Sequence, residues 1–359
     1  MSTRLFDQLH EADPARGLTG YDETYLRAAA REISSGVTCG DAVRRPRRTL
    51  PRRLAILTPV AAVVAAALVV APAMIARPSA SADAVEILHR AAEQVVAVDP
   101  LADPGDWWEV TTSGTTLGII DLPSGRVAIL ESRDSTAFHA ADGSRPSYFV
   151  DRPTRLVRQL AGAPVTLTEL AGWLGDTTDG WTSDLAPQDA PGTWQTPNPA
   201  FLAALPRETS ALRERLYRDS AGGGSSADGQ AFTFVADLLT SGVVPADLRS
   251  ALYRVLATIP GVEVTAHTAE VGPASGVAFG RYESNDGMRS ELVIDPATGD
   301  LLGERDIATR DQDGIAAGTV IGESTVTRSL VSSVPADVVE EAQVWDCDVA
   351  PDGSTVCTP

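Results

Sequence analysis

The chain is expected to fold as an α+β protein: an exported domain with a curved antiparallel sheet packed against several helices, preceded by one N-terminal transmembrane helix. Three observations lead there. Residues 54–76 carry no charge and follow Arg44, Arg45, Arg47, Arg48, Arg52 and Arg53. At about 1.5 Å rise per residue such a stretch reaches roughly 34 Å, enough for a hydrocarbon core about 30 Å thick. Beyond it, helical and alternating patterns come in blocks, helix–strands–helices–strands, rather than in βαβ order.

The organisation that follows is a cytoplasmic segment 1–53, a transmembrane helix 54–76, an exported domain 77–345 and a tail 346–359. The arginine cluster holds the N-terminus inside and sends the C-terminus out, so a single-pass plasma-membrane protein is expected, its bilayer contact made by 54–76. The competing reading is a cleaved signal: Ala80-Ser81-Ala82 has the form of a cleavage site after Ala82, and Arg52-Arg53 is similar to a twin-arginine signal. A signal h-region of about 7–15 residues is shorter than this stretch, which favours the retained anchor.

In the cytoplasmic segment a helix is expected from Asp22 to Ser35, with Tyr25, Ala29 and Ile33 on one face and Gly36 as its stop. After the anchor, Ser81 or Asp83 caps a helix to about Val98, its apolar face made by Val85, Leu88, Ala92 and Val95 or Val96. Strands are then predicted at 107–112, 117–121, 126–132, 136–140 and 147–150, with turns at Pro123-Ser124-Gly125 and Asp142-Gly143. A weak helical pattern covers 167–174. The proline-rich, aperiodic stretch 186–199 reads as a loop.

Helices recur at 208–218, 230–239 and 245–258, with Pro245 in the first turn and a Gly/Ser-rich link at 220–229. The last part reads as a meander of strands at 262–268, 276–282, 289–294, 301–308 and 318–327. Its best local signal is the hairpin through Asp295-Pro296-Ala297-Thr298-Gly299-Asp300, where Gly299 supplies positive φ.

Charge divides at the anchor. The first 53 residues hold ten Arg against seven acids, a net of +3; the remainder holds nineteen Arg against forty-one acids, a net of −22. So acidic a domain is a poor partner for nucleic acid. The chain has no lysine, which excludes a Walker-A loop, a Schiff-base lysine and an S-x-x-K nucleophile. His10, His89, His139 and His267 are scattered, and no H-E-x-x-H, C-x-x-C or G-x-S-x-G occurs, so no metal, cofactor or catalytic residue is assigned and no enzyme is expected. His139 reads as an ordinary strand residue. Asp311-Gln312-Asp313-Gly314 is similar to part of a calcium loop, but the first and last loop positions fall on Thr309 and Val320, so a polar turn is preferred.

Cys39 lies on the reducing side. Cys347 and Cys357 lie in the exported tail, where a disulfide persists; two free or metal-bound thiols are the alternative. Adjacent Trp107 and Trp108 face opposite sides of a strand, one toward the core, the other beneath a helix or on a groove. Trp181 and Trp194 stand in loop-like sequence and are the candidate binding surface.

Five features carry a resemblance. They are the Arg cluster before an Ala/Val anchor, the helix from Ser81, Trp107-Trp108, and Leu248–Ala257 running into Ile259-Pro260-Gly261-Val262, followed by Arg289–Leu292 through Asp295–Gly299. This layout resembles an uncharacterised actinobacterial family of single-pass membrane proteins with a large exported domain, which implies no established activity. Residues 269–275 depart from it, lacking an Asp-rich turn. More distantly, the exported part is similar to periplasmic lipoprotein-carrier and envelope-stress sensor domains, and the topology to membrane-anchored anti-sigma factors, whose zinc motif is missing here. The reading of the whole sequence is a non-enzymatic extracytoplasmic binding or sensor module for an unknown protein or lipid ligand. The alternatives are lipid or lipoprotein handling through an apolar groove, and an unrecognised hydrolase.

Overall fold

A computed structural model describes residues 80–95, 100–174, 178–283, 287–349 and 355–358, all within the unit Val70–Pro359. The cytoplasmic segment and the apolar stretch 54–76 lie outside the described residues. Among those that are described, no helix is long and apolar enough to cross a membrane.

Helix α1 (Ala82–Gln94) starts where Ser81 accepts a hydrogen bond from the Ala84 amide, and it buries Ala84, Leu88, Ala91 and Ala92. Strands β1 (Trp107–Leu122) and β2 (Gly125–Ala140) form one long hairpin, in place of the four short strands predicted. Strand β3 (Tyr148–Asp151) and strand β4 (Leu156–Ala161) pair with opposite ends of β2. A single turn, α2 (Leu167–Leu170), carries a Thr166–Glu169 capping box, and strand β5 (Asp179–Ser183) follows.

The stretch read as a loop holds a 3₁₀ turn at Pro187–Asp189 and ends in α3 (Pro199–Ala204), with Asn198 as its cap. Then come α4 (Thr209–Asp219), α5 (Ala227–Thr240) and α6 (Ala246–Leu256), with Pro245 one position before the first turn. The meander is β6 (Val262–Val271), β7 (Ala274–Glu283), β8 (Met288–Ile294), β9 (Leu301–Ala308) and β10 (Val320–Val331). It is followed by α7 (Ala336–Glu341), β11 (Gln343–Val349) and β12 (Thr355–Thr358).

The described strands form one open sheet in the order β12-β11-β5-β3-β2-β1-β10-β9-β8-β7-β6, with β4 beside β2. It is mixed rather than wholly antiparallel, because β11 joins β5 in parallel. The reason is topological: β11 arrives from α7 rather than from a hairpin, so nothing forces it to reverse direction against β5. The residues set apart as a tail therefore continue the sheet: β11 begins three residues before Asp346, and its Cys347 is 7% exposed.

Helices α1 and α4–α6 and the inner face of β6–β8 share the main core, around Leu88, Leu252, Tyr253, Phe279, Leu292 and Ile294. The hairpin that closes β8–β9 is anchored to it. Gly299 has φ +74°, its amide donates to Asp295 O at 2.8 Å, and its carbonyl accepts from the buried Tyr253 hydroxyl at 2.9 Å. On the opposite face, Glu291 is 1% exposed and is held by Arg289 and Arg305. The stretch 269–275, where the sequence departs from the family pattern, forms a hairpin that turns at Gly272, φ +51°. Asp311–Gly314 is a tight turn with Asp313 at φ 52° and a bridge between Gln312 and Ile315.

Candidate functional site

Strand alternation separates Trp107 from Trp108. Trp107 is buried with Phe138 and Ala140 against the α7 side of the sheet. Trp108 faces the helices, registered with His139 on β2 and Leu330 on β10. The Arg328 guanidinium lies 4.8 Å over its ring and donates to the Gly242 and Val244 carbonyls, fixing the indole from behind.

The same face continues outward as an aromatic row. His139 meets Phe149 edge-on at 5.7 Å, Phe149 stacks on Trp181 at 4.0 Å, and Trp181 contacts Trp345 at 5.6 Å. The Trp181 indole donates to Asp151 at 3.1 Å, so its polar edge points away from the row.

Over this floor stands the proline-rich stretch. Asn198 holds it: its amide donates to the Pro187 and Ala190 carbonyls, and its oxygen accepts from the Phe201 amide to start α3. The Gln188 amide donates to Gly143 O at 3.1 Å. Gly143 itself, at φ +70°, is the residue type that lets the Pro199 ring approach, since a Cβ there would meet that ring at 2.7 Å.

Between floor and wall run two adjoining cavities of about 540 and 400 Å³, which share His139, Pro187, Pro197 and Val243. Trp108, Leu202 and Pro245 line the first; its mouth carries Leu101, 96% exposed, and the Arg207–Asp247 ion pair at 2.8 Å. Phe149, Trp181 and Leu185 line the second, together with Cys347 and Cys357, and no Arg, Asp or Glu lines it. Together they form an apolar trough with His139 at its waist.

His139 is the titratable group inside. Burial pushes its imidazole down to about 4, so at neutral pH it is uncharged. Its Nδ1 lies 2.9 Å from Ser147 Oγ. The pair has the elements of a nucleophile and base, but a base weakened this far contributes little. No group of three metal-ligating side chains occurs among the described residues. The exposed lining of both cavities is mostly apolar.

The two tryptophans singled out from sequence part company. Trp181 lies on the floor of the second cavity. Trp194 is in the core, 3% exposed, stacked on Phe234 and bonded through Nε1 to Asp219 at 3.0 Å. It is no surface residue, because α5 supplies an aromatic partner that the local sequence does not reveal. Trp108, the one of the adjacent pair that lies on a groove, and His139, expected as an ordinary strand residue, are the central residues of the trough; a bulky apolar residue on the second face of a long strand is the signal that points to it. Cys347 and Cys357 are direct register partners on β11 and β12, with Cα atoms 4.1 Å apart and sulfurs bonded.

No protein-family model matches the chain, and no curated protein matches it. Distant likenesses exist among solved structures. The Pseudomonas aeruginosa MucA/MucB complex is 13% identical over 76% of this chain and 68% of that chain, with a TM-score of 0.23. A crystal structure of MucB gives 14%, 76%, 69% and 0.21. A DUF1329 family protein from Desulfovibrio piger gives 11%, 68%, 92% and 0.19. TM-scores this low settle neither fold nor function, and they support no assignment to the actinobacterial family.

Proposed function

We propose that the chain is a membrane-anchored, extracytoplasmic and non-enzymatic binding module, and that its trough takes the acyl chain of a lipid or of a lipid-modified protein. The observation that carries this is the second cavity: about 400 Å³, floored by stacked aromatics and lined by no Arg, Asp or Glu. Sites for polar ligands present convergent hydrogen-bonding groups. Here Asn198 and Trp181 spend theirs on the protein itself, and His139 bonds Ser147. The anchor rests on residues 54–76 and their arginine flank, and the exported location agrees with the Cys347–Cys357 bond.

A diazirine-bearing fatty acid, photolysed on the full-length chain in lipid nanodiscs, tests the reading. Crosslinks are expected on peptides carrying Trp108, His139, Phe149 or Trp181. Ala203→Trp, which plugs the first cavity from the exposed side of α3, is expected to cut them at least fivefold. Crosslinks spread evenly over the domain, indifferent to Ala203→Trp, would rule the trough out as the site.

A further inference from the structure

We propose that the Cys347–Cys357 bond is a redox latch on the second cavity, so that a thiol reductant sets how fast the trough releases its occupant; this rests on the trough being the binding site.

The two strands joined by the bond are held very differently. Strand β11 is fixed without it. Three parallel register pairs tie it to β5, the Asp184 amide donates to Trp345 O at 2.9 Å, and the Cys347 amide donates to Asp184 Oδ1 at 2.9 Å. Strand β12 is four residues long, stands at the end of the sheet, and has β11 as its strand neighbour among the described residues. Its Val356 is 58% exposed, so little burial holds it down. A four-residue, two-stranded pairing of this kind is marginal in water. The covalent bond is therefore what keeps β12 in place, and with it Thr355 and Cys357, which wall the second cavity.

The chemistry is ordinary thiol–disulfide exchange with a dithiol reductant. One reductant thiolate attacks the Cys357 sulfur, the more open of the two, since Cys347 is 7% exposed. The S–S bond breaks, and Cys347 leaves as a thiolate and takes a proton. The second reductant thiol then attacks the mixed disulfide, forming the oxidised reductant and freeing Cys357 as a thiol. Two electrons pass from the reductant to the protein, and two S–H bonds replace one S–S bond. β12 then loses its tether, while β11, β5 and the aromatic floor stay.

The full-length chain in nanodiscs is loaded with the diazirine fatty acid, chased with acceptor vesicles, and photolysed at intervals, with the disulfide intact or after dithiothreitol. A Cys347→Ser/Cys357→Ser variant is run in parallel. Crosslinks to the Phe149 and Trp181 peptides are expected to decay at least tenfold faster in the reduced protein and in the variant, with near-ultraviolet circular dichroism of the domain retained. Equal decay rates would overturn the latch and leave the trough standing. Loss of the dichroism on reduction would overturn it too, showing a bond that cements the whole fold. Absence of cavity crosslinks with the disulfide intact would sink both readings.

Discussion

Replacing Gly299 with valine, alanine and asparagine in turn separates two costs that meet at one atom. Gly299 has φ +74°, where a residue with a Cβ pays about 1–2 kcal/mol. A Cβ built there would also stand 2.5 Å from Ala91 O and 2.8 Å from both Val95 N and Cβ, so the turn presses on the last turn of α1. Backbone atoms cannot step aside as a side-chain tip can, and forcing such a contact costs about 1–3 kcal/mol. The Gly299 carbonyl meanwhile holds the Tyr253 hydroxyl, so a shift of the turn also strains a buried bond worth about 1 kcal/mol. Together these give roughly 3–6 kcal/mol for Gly299→Val, a fall in melting temperature on the order of 6–24 °C. Alanine is expected near the middle of that range. Asparagine tolerates the left-handed region but keeps the collision, so it is expected to cost about 1–3 kcal/mol. Urea melts of the full-length chain read all three. A Gly299→Asn midpoint equal to wild type would refute the close packing on α1, and a Gly299→Val midpoint equal to wild type would refute the turn itself.

Trp194→Ala is expected to cost about 3–5 kcal/mol as a core truncation, whereas Trp181→Ala, at the cavity floor, should lower fatty-acid crosslinking far more than the melting temperature; the reverse ranking would exchange their roles. Burial, helped by Asp306 and Asp237, pushes Glu304 up to about 7, so the fold favours its neutral form. Stability from this group is fully present below about pH 4.5 and is lost as pH rises through 7, by up to about 3 kcal/mol. Glu304→Gln should remove that loss, which urea melts at pH 4.5 and pH 8 measure. His139 has the opposite sign: pushed down to about 4, it contributes above pH 6.5 and is lost as pH falls toward 4, so His139→Gln should flatten the acid side of the same profile. In intact cells Cys39 should resist a membrane-impermeant maleimide; rapid labelling would reverse the expected topology.

The parts of the fold that were legible are those whose signal is local. Ser81 caps α1 because its hydroxyl accepts from an amide three residues on, and the β8–β9 hairpin closes where Asp-Pro and Gly say it will. The buried stripe of α1 is rotated slightly: Leu88, Ala92 and Val95 are buried as expected, but Ala84 and Ala91 join them while Val85 is half-buried, since small alanines allow a closer approach to α6 than hydropathy suggests. The missed strands are those whose partners are far away. Asp179–Ser183 is short and polar and becomes a strand because β3 and β11 flank it on both sides. Likewise, the four short strands merged into two because the Thr and Ser residues at 111–116 and 132–136 pair with each other across the hairpin rather than turning.

The trough was illegible for a related reason, and the reason also accounts for its existence. Long helices cover the sheet over β6–β8, where leucines from α4–α6 fill the space to the strands. Over β1, β2, β3 and β5 the cover is the 187–199 stretch and the two turns of α3. Prolines there fix the backbone and carry short rings, and Asn198 and Gly143 pin it at a set height above the strands. A rigid cover with short side chains cannot collapse onto a sheet, whereas a helix with leucines can. The aromatic row from Trp108 to Trp181 is consequently left facing a gap. A run of prolines without periodicity reads locally as a loop and nothing more. Set over the apolar face of a sheet, the same run becomes the roof of a cavity, and that consequence belongs to the pairing of residues 108, 139, 149 and 181 across four strands, which no window along the chain contains.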